Sequence, residues 1–220
     1  METRIRHIVW DWNGTLFDDQ HLVTLATNAS LGAVGFAPLG AGNYQDLYRR
    51  PLQDFYLAMV GREFSAEEWD LVEDAFSKTY TDGMHTCGLM SDALSALDSW
   101  APHSQSLLSM YDHDKLIPLV DSFGLAARLA RVDGRPPGLD YGPKTKYLAA
   151  HLTRLQLPVE QIALVGDCVD DALAALEVGA TAVLYTGGSS SRRNLEAAGL
   201  GLPIVDSLIE AVELLRGGRA

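Results

Sequence analysis

The sequence predicts an open α/β core, three layers deep around a parallel sheet, with a helical segment inserted after the first strand. Three observations predict it. A short apolar run opens the chain, helical spacing then dominates to about Trp100, and from Ser104 short apolar runs alternate with helical patterns.

Ile5-Arg6-His7-Ile8-Val9-Trp10 is mostly apolar and β-branched, and it runs into Asp11 with the turn residues Asn13-Gly14 just beyond. It reads as a buried strand that delivers Asp11 to its carboxyl end. Apolar spacing predicts helices over Leu22–Leu31, Leu47–Val60, Glu67–Tyr80 and Leu89–Leu97. Ser65, with Glu68 three residues on, makes a capping-box pattern. Past Ser104 the strand candidates are Ser106–Ser109, Leu129–Val132, Ile162–Val165, Ala180–Tyr185 and Ile204–Val205. Helical patterns at Lys115–Phe123, Thr145–Gln156, Asp170–Val178, Arg192–Ala198 and Leu208–Leu215 separate them, the rhythm of βαβ units. Gly134–Gly138 and Gly187–Ser191 read as loops. The expected organisation is therefore a Rossmann-like core from residues 1–17 and 101–220, with a helical cap inserted over 18–100. Ligands of open parallel sheets sit outside the carboxyl ends of the strands, where Asp11, Ser109 and Asp167 all fall, and the inserted helices would roof that crevice.

With 47% apolar residues in 220, the chain can bury a full core. A net charge of −12 opposes contact with a nucleic-acid backbone, so no nucleic-acid partner is expected, and an anionic substrate must meet locally concentrated positive charge. No run of about 18 apolar residues and no charged-then-apolar leader stands in the sequence, so the expectation is a soluble, cytoplasmic protein without a membrane partner. Cys87 and Cys168 fit no metal-ligand spacing and read as unpaired thiols in a reducing compartment. The six histidines form no metal-binding pair at helical spacing, and oligomeric state is left open.

The strand-end sequence Trp10-Asp11-Trp12-Asn13-Gly14-Thr15-Leu16 resembles the first motif of the haloacid dehalogenase-like hydrolases, whose common form is apolar strand, Asp, x, Asp, Gly, Thr. Three further motifs follow in order: Ser109 at a strand end, Lys144, and Val165-Gly166-Asp167-Cys168-Val169-Asp170-Asp171 after a strand. The helical insert between the first two motifs resembles the cap of the phosphoglycolate phosphatase-like branch. The resemblance implies a hydrolase in which Asp11 is the nucleophile and forms an aspartyl-phosphate. It implies Mg2+ held by Asp11, the backbone carbonyl of residue 13 and Asp167, with Asp170 and Asp171 assisting. Ser109 would hold a phosphoryl oxygen and Lys144 would neutralise the nucleophile, Lys146 being the competing assignment. Such chemistry is physically coherent, because a carboxylate can approach a phosphorus ringed by negative oxygens only where a cation and positioned donors offset the repulsion. The expected partner is a small phosphorylated substrate, bound by Thr15 in the first motif and, at its far end, by the aromatic and basic cluster Tyr44, Tyr48, Arg49 and Arg50.

Asn13 departs from the family pattern. Phosphatases of this kind use an aspartate there to protonate the leaving group and then to activate water, and a neutral amide cannot carry a proton through that cycle. The backbone carbonyl of residue 13 remains available for the metal. The sequence leaves open a phosphatase that is slow or acts on a good leaving group, a carbon–phosphorus or carbon–halogen hydrolase, an Asn13 introduced by engineering or deamidated to Asp, and a non-catalytic phosphate-binding regulator. The acidic cluster Asp167, Asp170 and Asp171 argues against the dehalogenases, which need no Mg2+. A phosphonatase would want a Schiff-base lysine in its cap, where Lys78 is the one lysine available.

Overall fold

The computed structural model describes residues 4–40, 43–137 and 142–217. In chain order the elements are β1 (His7–Trp10), β2 (Phe17–Asp18), α1 (Gln20–Ala33), α2 (Asn43–Leu47), α3 (Leu52–Val60), α4 (Ala66–Gly83), β3 (Gly88–Leu89) and α5 (Ala93–Trp100). There follow β4 (Ser104–Asp112), α6 (His113–Ser122), β5 (Val132–Arg135), α7 (Lys144–Leu155), β6 (Ile162–Gly166), α8 (Val169–Val178), β7 (Thr181–Tyr185), α9 (Arg192–Ala197), β8 (Ile204–Val205) and α10 (Leu208–Arg216).

Six strands form one parallel sheet in the order β5-β4-β1-β6-β7-β8. β1 is central because all four of its residues are buried, and its side chains alternate between layers. Ile8 and Trp10 enter the core shared with Leu97, Trp100, Leu107, Val165 and Leu208, whereas Val9 joins Leu108, Leu148, Leu164 and Ala172 on the other face. The architecture is the Rossmann-like α/β sandwich that the sequence predicts. The strand order turns back at β1, so the crevice at its carboxyl end lies at a topological switch point.

Between β2 and β3 the helices α1 to α4 build a core of their own from Leu31, Tyr44, Tyr48, Phe55, Tyr56 and Val72. The one helix expected over Leu47–Val60 is two, α2 and α3. Pro51 precedes Leu52, and a proline both lacks an N–H and bars the residue before it from helical backbone. α4 opens on the expected capping box: Ser65 Oγ accepts the Glu68 N–H (3.3 Å) and the Glu68 carboxylate accepts the Ser65 N–H (2.9 Å). Ser65→Ala is expected to cost about 1 kcal/mol, read as a lower midpoint in urea unfolding; an unchanged midpoint would show the box to be idle.

Three boundaries differ from the sequence expectation. Gly88–Leu89 is strand rather than helix, paired antiparallel with Phe17–Asp18. Helix α5, inside the stretch 18–100 expected as the insert, packs on the sheet: Ala93, Ala96, Leu97 and Trp100 are buried beside Leu208, Ala211 and Leu215 of α10. Asp92, just ahead of α5, accepts the backbone N–H groups of Leu208 (2.8 Å) and Ile209 (3.2 Å) and so caps α10. The strand expected at Leu129–Val132 lies at Val132–Arg135 and takes in Gly134 and Arg135 of an expected loop whose last residue, Gly138, is outside the described residues. Gly134 is needed there because a Cβ would stand 2.7 Å from the backbone of Tyr111 and of His113.

A buried polar chain crosses the lower half of the sheet. His7 Nδ1 meets Ser104 Oγ at 3.0 Å and its Nε2 meets Ser106 Oγ at 2.7 Å; Ser106 Oγ then meets His151 Nε2 at 2.7 Å, and His151 Nδ1 meets Asp133 Oδ2 at 2.7 Å. With both imidazoles neutral every link has one donor and one acceptor, running from Ser104 to Asp133. Burial holds the His7 imidazole down at about 4, with His151 adding to the effect.

Candidate active site

Asp11 follows the last residue of β1, and its N–H still bonds Val165 O of β6 at 2.9 Å, so the sheet itself sets its position. Lys144 is the first residue of α7, a place where the helix dipole disfavours a cation. Two carboxylates offset that: its Nζ, on a side chain 3% exposed, donates to Oδ1 of Asp11 and Oδ1 of Asp171. Burial alone would lower the Lys144 amine, but Asp11 and Asp171 together hold it above the ordinary lysine range. For Asp11, burial raises the carboxyl and Lys144 opposes it. Lys146, by contrast, is exposed and rests against the Tyr147 ring.

Asp167 follows β6 and is buried. Burial pushes its carboxyl well above the ordinary range, the neighbouring Asp11 and Asp171 push further, and the N–H of Ser189 to its Oδ2 (2.5 Å) opposes them. Two glycines wall it in. A Cβ on Gly14, whose φ is +72°, would lie 2.3 Å from Asp167 Oδ2, and one on Gly188 would lie 2.2 Å from the same atom. Asp170 is partly exposed beside it. Asp171 is fully engaged: Oδ1 by Lys144, and Oδ2 by the N–H (3.1 Å) and the thiol (3.1 Å) of Cys168. It holds Lys144 and closes the first turn of α8, and its carboxylate also lies within 4.8 Å of ligand atoms of Asp167 and Cys168, a grouping that could hold an ion. Sequence reasoning passed over Cys168, because a thiol at that helix position is not a usual capping residue.

Ser109, near the carboxyl end of β4, accepts the Tyr111 N–H at 3.0 Å and donates to Asn13 Oδ1 at a long 3.4 Å. Asn13 Nδ2 donates to Asp19 Oδ2 and to Tyr80 OH, both at 2.8 Å. Tyr80 in turn donates to Asp19 Oδ2 at 2.6 Å, and Gly14 N–H donates to Asp19 Oδ1 at 3.0 Å. Burial raises the Asp19 carboxyl, against the bonds from Tyr80, Asn13 and Gly14. The Asp18-Asp19 doublet after the first motif was the available sequence signal. The hydroxyl of Thr15 is buried with no hydrogen-bond partner among the described residues.

From the insert, Arg50 reaches toward the crevice. Its Nε donates to Tyr48 OH at 3.2 Å, and Tyr48, then Cys168 and Asp170, hold its guanidinium above the ordinary range. Tyr48 stacks on Tyr44 at 5.6 Å inside the insert's core. Arg49 is not part of this group: it is exposed and bonds the backbone oxygen of Leu47. His21 is also exposed, on Thr86. Lys78, the lysine a Schiff base would require, is 77% exposed on α4 and paired with Asp82. The roof is tied down by Gln45, whose Nε2 donates to Gly188 O at 2.6 Å, and by Asn194, whose Nδ2 donates to Tyr48 O at 2.6 Å.

The fold is an open α/β sandwich that carries a lysine-paired carboxylate, Asp11, at the end of its central strand. Residues 142–211 match the family model described as HAD-hydrolase-like. Among solved structures, a predicted phosphatase from Clostridium acetobutylicum superposes with a TM-score of 0.78 at 18% identity, over 96% of this chain and 97% of that one. A haloacid dehalogenase-like family protein from Streptococcus pneumoniae gives 0.80 at 18% identity, over 95% and 97%. A predicted phosphoglycolate phosphatase from Haemophilus somnus gives 0.74 at 18% identity, over 97% and 99%. At these identities the likeness establishes the fold. No curated protein sequence matches the chain. The family model thus covers about a third of the chain, and the solved structures share its fold from end to end.

Proposed function

We propose that the chain is a cytoplasmic Mg2+-dependent phosphatase that acts on a small phosphorylated metabolite through an aspartyl-phosphate at Asp11, with residues 18–100 contributing the cap. The observation that carries this reading is the buried Lys144 amine shared between Asp11 and Asp171. A cation placed on a carboxylate at the mouth of a parallel sheet is what an anionic electrophile requires. The donor set fits Mg2+: Asp11, Asp167 and the carbonyl of residue 13 offer oxygen only, and Asp167 is a buried carboxylate whose raised pKa marks a shortage of positive charge. Bound there, the ion would offset negative charge on the phosphoryl group. Asp11 attacks phosphorus, the Ser109 hydroxyl exchanges its long bond to Asn13 for a phosphoryl oxygen, and Lys144 stays on the pair as charge moves. Arg50, on the roof, binds the far end of the substrate. Two unpaired thiols agree with a reducing compartment, and among the described residues no helix is long and apolar enough to cross a membrane.

The test is chemical trapping. After acid quench with Mg2+ and an activated aryl phosphate, the peptide spanning Asp11–Leu16 should carry a hydroxylamine-sensitive phosphoryl group, absent when EDTA replaces the metal. Saturable phosphate binding with neither adduct nor phosphate release would make the chain a phosphate-binding regulator instead.

A further inference from the structure

The hydrogen bonds of Asn13 decide which way its amide faces, and the direction bears on the substrate. The two ends of an amide are told apart by their partners. Nδ2 spends both protons, one on Asp19 Oδ2 and one on Tyr80 OH. Tyr80 must accept that proton because its own hydrogen goes to Asp19, whose other oxygen is taken by Gly14 N–H. Reversing the amide would set its oxygen 2.8 Å from a carboxylate oxygen. The end left facing Ser109 is therefore Oδ1, an acceptor with no proton to give. Of the other donors beside Asp11, the Lys144 amine is held by two carboxylates, and the Ser109 hydroxyl has a pKa too high to serve as an acid. Among the described residues, none at this position can protonate a departing oxygen.

We infer that the substrate, on the phosphatase reading above, carries its phosphate on an acidic leaving group: an acyl, enol or aryl phosphate rather than the phosphate ester of an ordinary alcohol. In the first half-reaction an Asp11 oxygen bonds to phosphorus and the bond to the leaving oxygen breaks. The electron pair departs with a carboxylate, enolate or phenolate that is stable without a proton. In the second half, water bonds to phosphorus, the aspartyl oxygen leaves as carboxylate, and the proton of the water passes to bulk solvent. A positioned acid or base is worth about 10²–10⁴ in rate. Its absence penalises basic leaving groups in the first half and slows the second half for every substrate, so the aspartyl-phosphate should accumulate.

The test uses the full chain with Mg2+ on acetyl phosphate, on phenyl phosphates graded from dinitrophenol to phenol, and on glycerol phosphate. Rapid-quench records release of the leaving group, and Asn13→Asp and Tyr80→Phe are run beside the native chain. The native chain should show kcat/KM falling steeply as the leaving group becomes more basic, with a burst approaching one leaving group per chain. Asn13→Asp should flatten that slope, raise glycerol phosphate turnover by about 10²-fold or more, and abolish the burst. Tyr80→Phe leaves the Nδ2 bond to Asp19 in place and Oδ1 facing Ser109, supplies no acid, and should leave the slope as steep as that of the native chain. A native slope as shallow as that of Asn13→Asp, with glycerol phosphate turned over as well as the aryl esters, overturns the inference and leaves the phosphatase reading standing. Release of phosphate from none of the probes, with no burst, overturns the phosphatase reading itself.

Discussion

Lys144→Met is expected to destabilise the protein by about 3–5 kcal/mol and to lower phosphate release by at least about 10²–10³-fold. Among the described residues the amine is the one cation that Asp11 and Asp171 share, and both carboxylates are buried, Asp171 at 1% and Asp11 at 7% exposed. Burial already raises the native Asp11 carboxyl to about 7, and without the amine it rises further, so the folded variant binds protons still more tightly than the unfolded chain. Stability of the variant should therefore fall as pH rises from 5 to 8. Adding Asp171→Asn should recover part of the loss, since one uncompensated charge is removed together with the lysine. Urea unfolding of the native chain, the single variant and the double variant from pH 5 to 8 measures the three stability effects, and a phosphate-release assay measures the fourth. A single variant as stable as the native chain would mean that the pair contributes no net stabilisation and that the assignment of Lys144 as the buried counter-charge is wrong.

Acidification is the second large effect. An unfolded histidine takes up a proton at about 6.5, whereas burial holds His7 in the folded protein at about 4. Between those values the unfolded chain binds more protons, so stability falls as pH falls through that window, by about 3 kcal/mol in total. Asp133 acts separately. Its bonds from His151 and Arg131 hold its carboxyl below the ordinary range against the effect of burial, so the stability it contributes is lost only at still lower pH. His7→Gln keeps a side chain able to bond Ser104 or Ser106 but does not titrate. Its unfolding free energy should be lower at pH 7, and its difference from the native chain should shrink by about 3 kcal/mol between pH 6.5 and 4. A slope equal to that of the native chain would place the acid sensitivity elsewhere.

Legibility in the sequence followed the range of the interactions involved. Asp11, Ser109, Lys144 and Asp167 could be read because each lies beside a strand end or helix start with its own local pattern, and a parallel sheet brings strand ends together without further instruction. The partners of Asn13 could not. Asp19 is six residues away and Tyr80 sixty-seven, and the spacing around Tyr80 is the ordinary amphipathic pattern of α4. The acidic run marked Asp171 as a metal partner, but its bonds to Lys144 and Cys168 depend on side chains the run itself does not announce. Arg49 and Arg50 are adjacent and chemically alike, and only the turn before Pro51 sends one outward and the other toward the crevice. Strand β5 was misplaced because it is an edge strand whose polar residues serve tertiary bonds: Asp133 ends the histidine chain, and Arg135 pairs with Asp112. The two-residue strands β2 and β3 are too short to carry a period, and α5 was grouped with the insert because helical spacing does not say what a helix packs against.

The antiparallel pairing of Phe17–Asp18 with Gly88–Leu89 has a mechanical consequence. Both passages of the chain between the sheet and the four-helix insert run through this one ribbon, side by side. Two strands clamped to each other resist splaying and sideways shear but bend readily across their width, so the insert has one soft degree of freedom where two separate linkers would allow several. A swing about the ribbon lifts the Gln45 and Asn194 contacts at the far rim first and moves Asp19 and Tyr80, which sit near the pivot, least. The roof can therefore part from the crevice while the clamp on Asn13 stays shut.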